Sequence, residues 1–365
     1  MNTYKFFLLG LGAAMTFGLA GCGSSGSSSP PVGQDPVDPN PAFAEVEMLD
    51  TQLLDPEFGA AVAINDESLV VGLIDGGLTP TTPKAIAWNF DAGETQLLAL
   101  PVGAGDYSAA YGVNNAGAIV GEMEDEDGII TAAYWADMET AAAPLATGAA
   151  SSAYGINSEG VIIGELLDNG ISEAVYWASS NAIPVPLPLP LGATTSSAYF
   201  INAFGDIVGE VDGHASIWRL DDLTDPDSYQ APILLSDFAV GDVDHLTGDS
   251  AAWSINGDGI IVGEFEGMDG RLHAVRWIPE TGDEYTLVDL GPVAVNSGAY
   301  GINNAGRIVG FVTDALDVPE ASAWGVANEE HVTMHGNLPN SKALAINIHG
   351  QAVGLTESMP FIALP

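Results

Sequence analysis

The twelve residues Ala153–Gly164, AYGINSEGVIIG, decide the reading of this chain. Small and large residues alternate up to Ile156, Asn157 and Gly160 bracket a turn, and Val161–Ile163 resume an apolar run that Gly164 closes. Alternation with period two is a strand with two unlike faces. Asn at the first turn position can bond backbone two residues on, and Gly accepts the left-handed conformation that closes a tight hairpin. The stretch therefore predicts two antiparallel strands joined at Asn157–Gly160.

The same pattern recurs around Asn65, Asn114, Asn202, Asn256, Asn303 and Asn347, with a glycine seven residues after each asparagine. Ala stands four residues before every one of these asparagines. Three before stands a large residue: Val62, Tyr111, Tyr154, Tyr199, Trp253, Tyr300 or Leu344. The alternation puts this bulky set and the following Ile or Val on one face of the strand, and Ala or Gly mostly on the other. The first copy departs from the turn pattern, with Ser68 at the glycine position. Ala-x-x-Trp pieces such as Ala132/Trp135 and Ala274/Trp277 end a third strand. Leu- and Pro-containing segments such as Glu94–Pro101 and Glu284–Pro292 make a fourth.

Asparagine spacings of 43 to 54 residues, filled by four short strands, predict an all-β fold: a seven-bladed β-propeller of four-stranded blades. The seventh copy stops at Pro365, after its third strand at Met359–Leu364. Its fourth strand is expected from Glu45–Leu54, where Thr51-Gln52-Leu53-Leu54 repeats Thr95-Gln96-Leu97-Leu98. An N-terminal strand completing the last blade leaves no sheet edge exposed at the seam.

With these motifs the chain resembles the extracellular HAF-repeat proteins of bacteria. The resemblance rests on the Ile-Asn-x-x-Gly-x-Ile-Val-Gly runs and on His214–Trp218 and His273–Trp277, and covers nearly all of residues 58 to 361. Lys84, Thr131, Glu173 or Glu320 replace the leading His in other copies, and Phe361 replaces the last Trp. The resemblance implies a surface-located repeat domain and brings no catalytic residues with it.

The ends of the chain predict its address. Lys5, the apolar run Phe6–Ala20 and the ending Leu19-Ala20-Gly21-Cys22 read as a lipoprotein signal over residues 1–22, with a lipobox-like site at which Cys22 is acylated. Cys22 is the one cysteine, so no intrachain disulfide forms. Residues 23–43 (Gly-, Ser- and Pro-rich) read as a flexible tether, and 44–365 as the propeller. The expected state is a monomer held by lipid on Cys22 to the bacterial cell envelope, at the outer membrane, exposed to periplasm or exterior.

Beyond residue 22 six Lys and Arg face 49 Asp and Glu, a net charge of −43, while 47% of the whole chain is hydrophobic. Such a chain has a core and a strongly negative skin, which disfavours nucleic acid and anionic headgroups as partners. A carboxylate surface also suits saline surroundings, where salt screens its self-repulsion.

The hairpins pinned by Asn-x-x-Gly lie on one face. The loops joining second to third and fourth to first strands emerge on the other, and there they vary: Glu122–Gly128, Asp237–Asp249 and Glu264–Gly270. Binding usually resides on such loops. Two sets should rim the centre of that face. One is Glu122, Glu165, Glu210 and Glu264, directly after the second strand in four consecutive blades; the other copies have Leu73, Phe311 and Leu355 there. The second set begins the innermost strand: Ser108, Ser151, Ser196, Ser250, Ser297 and Ser341, with Gly59 in the first copy. The carboxylates could hold a hard cation or the amines of a ligand, or be a solvated rim; the serines could bind ligand or merely bond crowded strand starts together.

Calcium is the one cofactor suggested, at Asp242, Asp244 and Asp249 or at Glu124, Asp125 and Asp127, which offer closely spaced oxygens without EF-hand spacing. His331 and His335 are too far apart on a strand to share a metal. No nucleophile elbow, phosphate loop or zinc signature occurs. The expectation is a non-catalytic binding module for a protein, glycan or divalent cation. The alternatives are glycan cleavage by Glu165 with Glu210 or Glu264, or a structural envelope component.

Overall fold

A computed structural model describes residues 43–51, 58–75, 82–146, 149–220, 228–235, 249–292, 294–325, 331–334, 338, 340–357 and 359–365. The described strands form seven four-stranded antiparallel sheets. The expected seven-bladed propeller is the fold. The third blade illustrates the unit: an innermost strand Ala150–Ile156, a second Ile162–Asp168, a third Ile171–Trp177 and a short fourth Val185–Pro186.

The asparagines do two jobs. Within its own hairpin each Oδ1 accepts from backbone N–H: Asn157, for instance, from Glu159 and Val161. Each side-chain amide then donates to the carbonyl of the equivalent asparagine one blade on, at 2.9 to 3.4 Å. The last of these, Asn347 to Asn65, joins blade seven to blade one and closes the ring. All seven asparagines are buried, so every polar atom spent here must find a partner inside the protein.

The innermost strands depart from simple alternation. In all seven blades the register slips between the Ala four before Asn and the residue two before it, as between Ala153 and Gly155. The large residue between them is the bulge. An extra residue re-aims one side chain, and this splits the bulky face that alternation predicts. Ile156, Ile201, Ile255 and Ile302 go to cores between blades. Val62, Tyr111, Tyr199, Trp253, Tyr300 and Leu344 instead share one cluster, with Tyr154 packed on it. One large side chain from each blade meeting in one cluster fills the propeller axis. Ring centroids run 5.7 Å from Tyr111 to Tyr154, 6.2 Å to Tyr199, 4.6 Å to Trp253 and 6.2 Å to Tyr300.

The bulge also explains the glycine seven residues after each Asn. A Cβ at Gly164 would lie 2.0 Å from the carbonyl oxygen of Ser152, and the other six copies are equally closed at 1.9–2.0 Å. The turn glycines have another reason: Gly117, Gly160, Gly205, Gly259, Gly306 and Gly350 have φ of 77–85°, and Ser68 takes φ 57° in the first copy.

The seam closes as expected, but not in the expected register. Glu45–Met48 pairs antiparallel with Phe361–Leu364 in the last blade. Leu49 then donates its N–H to Pro360 as Leu98 does to Ala85, so EVEML aligns with ETQLL of the first blade. The repeated tetrapeptide is therefore not the strand: Thr51 follows it, and Gln52, Leu53 and Leu54 lie outside the described residues. The buried leucine, not the string identity, sets this register. Phe43, placed by composition in the tether, is 2% exposed and packs in a core of blades six and seven, with the Arg307 guanidinium 3.9 Å above its ring. Residues 1–42, with the signal, Cys22 and most of the tether, lie outside the described residues.

Candidate functional site

The carboxylate set lies within the second strands, Ile119–Glu124, Ile162–Asp168, Ile207–Val211 and Ile261–Glu266, and not directly after them as expected, on the side of the plug away from the asparagine ring. Glu122 pairs across the blade with Ala109, Glu165 with Ser152, Glu210 with Ser197 and Glu264 with Ala251. The glutamates are not a solvated rim. Glu122 and Glu264 are 1% and 3% exposed, and Glu165 and Glu210 are half-buried.

Their partners come from the axial plug and from the next blade. Glu122 accepts from the hydroxyls of Tyr107 and Tyr111, and from Ser152 of blade three. Glu165 accepts from Tyr154 at 2.8 Å, from Ser172, and from Ser197 of blade four at 2.7 Å. The scheme changes in the next two blades. Where Ser152 and Ser197 stand, the following blades have Ala251 and Gly298. Among the described residues Oε2 of Glu264 has no hydrogen-bond partner; it lies against Gly298, where a Cβ would come within 2.6 Å of it. The Trp253 indole N–H faces this carboxylate but falls outside hydrogen-bond geometry, and is also unpartnered.

Burial governs the proton affinities. It pushes Glu264 up to about 7, against the opposing pull of Lys342 and Trp253, and neighbouring Glu210 adds to the rise. Glu210 is likewise pushed to about 7 by burial, against the Tyr199 hydroxyl, with Glu165 and Asp249 adding to it. Burial also raises Glu122, although the Ser152, Tyr107 and Tyr111 hydroxyls oppose it. Tyr111, Tyr154, Tyr199 and Tyr300 are held well above the usual tyrosine range by burial and these carboxylates. Two neighbouring carboxyl groups, both pushed upward by burial, favour any ligand that brings positive charge and N–H donors.

The arc is one-sided. Leu73, Phe311 and Leu355 take its place in the other three blades, and there Lys342 reaches over the rings of Phe311 (4.5 Å) and Tyr300 (5.8 Å). Lys342 is the residue that sequence reasoning missed. Its position in the repeat, matching Ser152 and Ser197, was the available signal.

The serine set has a different role from a rim. Ser108, Ser151, Ser196, Ser250, Ser297 and Ser341 are buried, and each accepts the backbone N–H of the Ala in the preceding blade's Ala-x-x-Trp, at 2.8 to 2.9 Å. They are staples between blades: these N–H groups would otherwise be orphaned beside a strand start. Ser152 and Ser197, one residue on from the predicted positions, are the ones that touch the carboxylates.

Of the residues considered for calcium, Asp125 accepts at Oδ1 from the backbone N–H groups of Asp127 and Ile129 and so closes its own turn, while Glu124 accepts from the Asp106 N–H. Asp249 contributes charge near Glu210, and Asp242 and Asp244 lie outside the described residues, as does His335. Among the described residues no group of three or more His, Cys, Asp or Glu could hold a metal ion.

The chain matches no family model and no curated protein. Solved structures do resemble it. A structure of streptogramin B lyase aligns with 88% of this chain and 99% of its own, with a TM-score of 0.50 and 13% identity. The β-propeller domain of the Trilobed protease from Pyrococcus furiosus aligns with 84% of this chain and 91% of its own, with a TM-score of 0.53 and 10% identity. At such identities the likeness is one of fold, and it places this chain among the β-propellers.

Proposed function

We propose that this propeller is a non-catalytic binding module, tethered to the bacterial envelope through lipid on Cys22, which takes its ligand at the axial mouth of its variable face. The supporting observation is the convergence of Glu122, Glu165, Glu210 and Glu264 from four consecutive blades around one side of that mouth. Nothing in the packing of a propeller requires buried carboxylates there, as the three blades with Leu or Phe at this position demonstrate. Keeping charge in such a place costs stability, and sites that carry that cost are the ones where ligands are met. A filled axis leaves a floor of aromatic side chains under the arc, suited to a bound group rather than a passage.

Glycan cleavage is the second reading, favoured by the elevation of Glu210 and Glu264 to about 7, the range of a general acid at neutral pH. One experiment separates the readings. Wild type and Glu165→Gln are applied to a glycan and peptide array, and the retained glycans are assayed for new reducing ends. Retention that weakens in the variant, without new ends, supports a binding module. New reducing ends lost with Glu210→Gln or Glu264→Gln would establish an enzyme, and no retention at all would leave a structural envelope component.

A further inference from the structure

The geometry points to a binding position for a primary alkylammonium group in the Glu210–Glu264 sector of the mouth, beside the Tyr199 and Trp253 rings. This deepens the binding reading above and rests on it. Three observations converge. First, the sector lacks the next-blade serines: Ser152 and Ser197 serve Glu122 and Glu165, whereas Ala251 and Gly298 offer no hydroxyl to Glu210 and Glu264, which leaves Glu210 with the Tyr199 hydroxyl. Second, Glu264 Oε2 is buried without a partner among the described residues, on a residue 3% exposed, and half-buried Glu210 beside it leaves the pair approachable from the mouth. A buried carboxylate oxygen without a donor is costly, and one donor group shared by both residues would remove that cost.

Third, the protein already places one ammonium on this floor. Lys342 sits over Phe311 and Tyr300, with its positive charge favouring ionised Glu264. The aromatic belt continues from Tyr300 through Trp253 to Tyr199, whose rings are 6.2 Å and 4.6 Å apart in turn. A second ammonium between Glu210 and Glu264 would repeat the arrangement of Lys342 two blades away, with three N–H donors for the oxygens that hydroxyls serve in blades two and three. Ring faces favour cations, most of all where water is excluded. A neutral polyol could supply donors but no charge, and a carboxylate or phosphate would be repelled. The ammonium can belong to a free amine or to a lysine of a partner protein; the chemistry is shared.

The test is calorimetric titration of the full chain with n-butylamine, with a lysine-containing peptide and with neutral n-butanol, in 0.5 M salt to screen the acidic surface. Saturable one-to-one binding of butylamine or the peptide, with none for butanol, is expected. Binding of both identifies the ammonium itself as the recognised group, whereas binding of the peptide alone assigns it to a partner's lysine. Glu210→Gln and Glu264→Gln should each weaken it at least tenfold, and Glu47→Gln, on the exposed first strand, should leave it unchanged. Ala251→Ser restores the hydroxyl that blade four supplies to Glu165 and keeps every carboxylate. It too should weaken amine binding, and it serves if a Gln variant fails to fold. Absence of saturable amine and peptide binding overturns the proposal, as does equal weakening by Glu47→Gln. If the array described above still retains ligands, the ammonium position alone has failed; if it retains none, the binding reading has failed with it.

Discussion

Replacing Glu264 by Gln should make the protein more stable at pH 8 and leave it nearly unchanged at pH 4. Folded Glu264 keeps its proton up to about pH 7, against an ordinary value of 4.5. Below 4.5 both folded and unfolded chains carry the proton, and the group is neutral in each. Between 4.5 and 7 the unfolded chain releases the proton while the folded chain holds it, so stability falls as pH rises, and above 7 the full loss is present. A shift of this size is worth about 3 kcal/mol, as an order of magnitude, since one pKa unit corresponds to ~1.4 kcal/mol. The groups facing the carboxyl are Lys342 and Trp253, which favour the ion, and Glu210, which opposes it; Tyr300 beside it stays neutral. Glutamine keeps the shape without the charge, so the difference in melting temperature between variant and wild type should open across pH 5–7. At a few degrees per kcal/mol or less for a chain of this size, a shift of several degrees at pH 8 is expected. Scanning calorimetry of both proteins from pH 4 to pH 8 reads it directly. A variant no more stable at pH 8, or a difference independent of pH, refutes the assignment of Glu264 as a buried, proton-retaining carboxyl. Stability gained together with amine binding lost would be the trade expected of a functional site.

Asn157→Ala removes two turn hydrogen bonds and the amide link to Asn202, and should cost about 2–3 kcal/mol of unfolding free energy in urea melts. Ser196→Ala takes the acceptor from the buried Ala174 N–H and should cost ~1–3 kcal/mol by the same measurement, with ligand retention on the array otherwise intact. Gly164→Ala drives a methyl group to 2.0 Å from the Ser152 carbonyl oxygen; a loss of ~3 kcal/mol or failure to accumulate as folded protein is expected in circular dichroism. By contrast, Gly160→Ala meets nothing within 4 Å and suffers only its φ of 81°, so it should cost about 1 kcal/mol.

What the sequence determined by itself was everything periodic. Seven asparagines with their turn glycines announced seven hairpins, the Ala-x-x-Trp pieces a third strand, and the incomplete seventh copy a partner at the other end of the chain. Local hydrogen-bond chemistry and side-chain size act within a few residues, so they are written where they act. Tertiary structure alone decided what depends on a partner strand or a neighbouring blade. The bulge that turns Tyr111 and Trp253 to the axis and Ile156 to a blade interface is invisible to an alternation count, because it arises from pairing with the second strand. Whether an asparagine amide reaches the next asparagine, whether Ser151 faces ligand or the Ala132 N–H, and whether a glutamate has a serine across the gap are questions of which blades touch. For Glu264 the answer is Gly298, 34 residues further along, and that juxtaposition leaves one carboxylate oxygen of an ordinary member of an acidic repeat without a donor among the described residues.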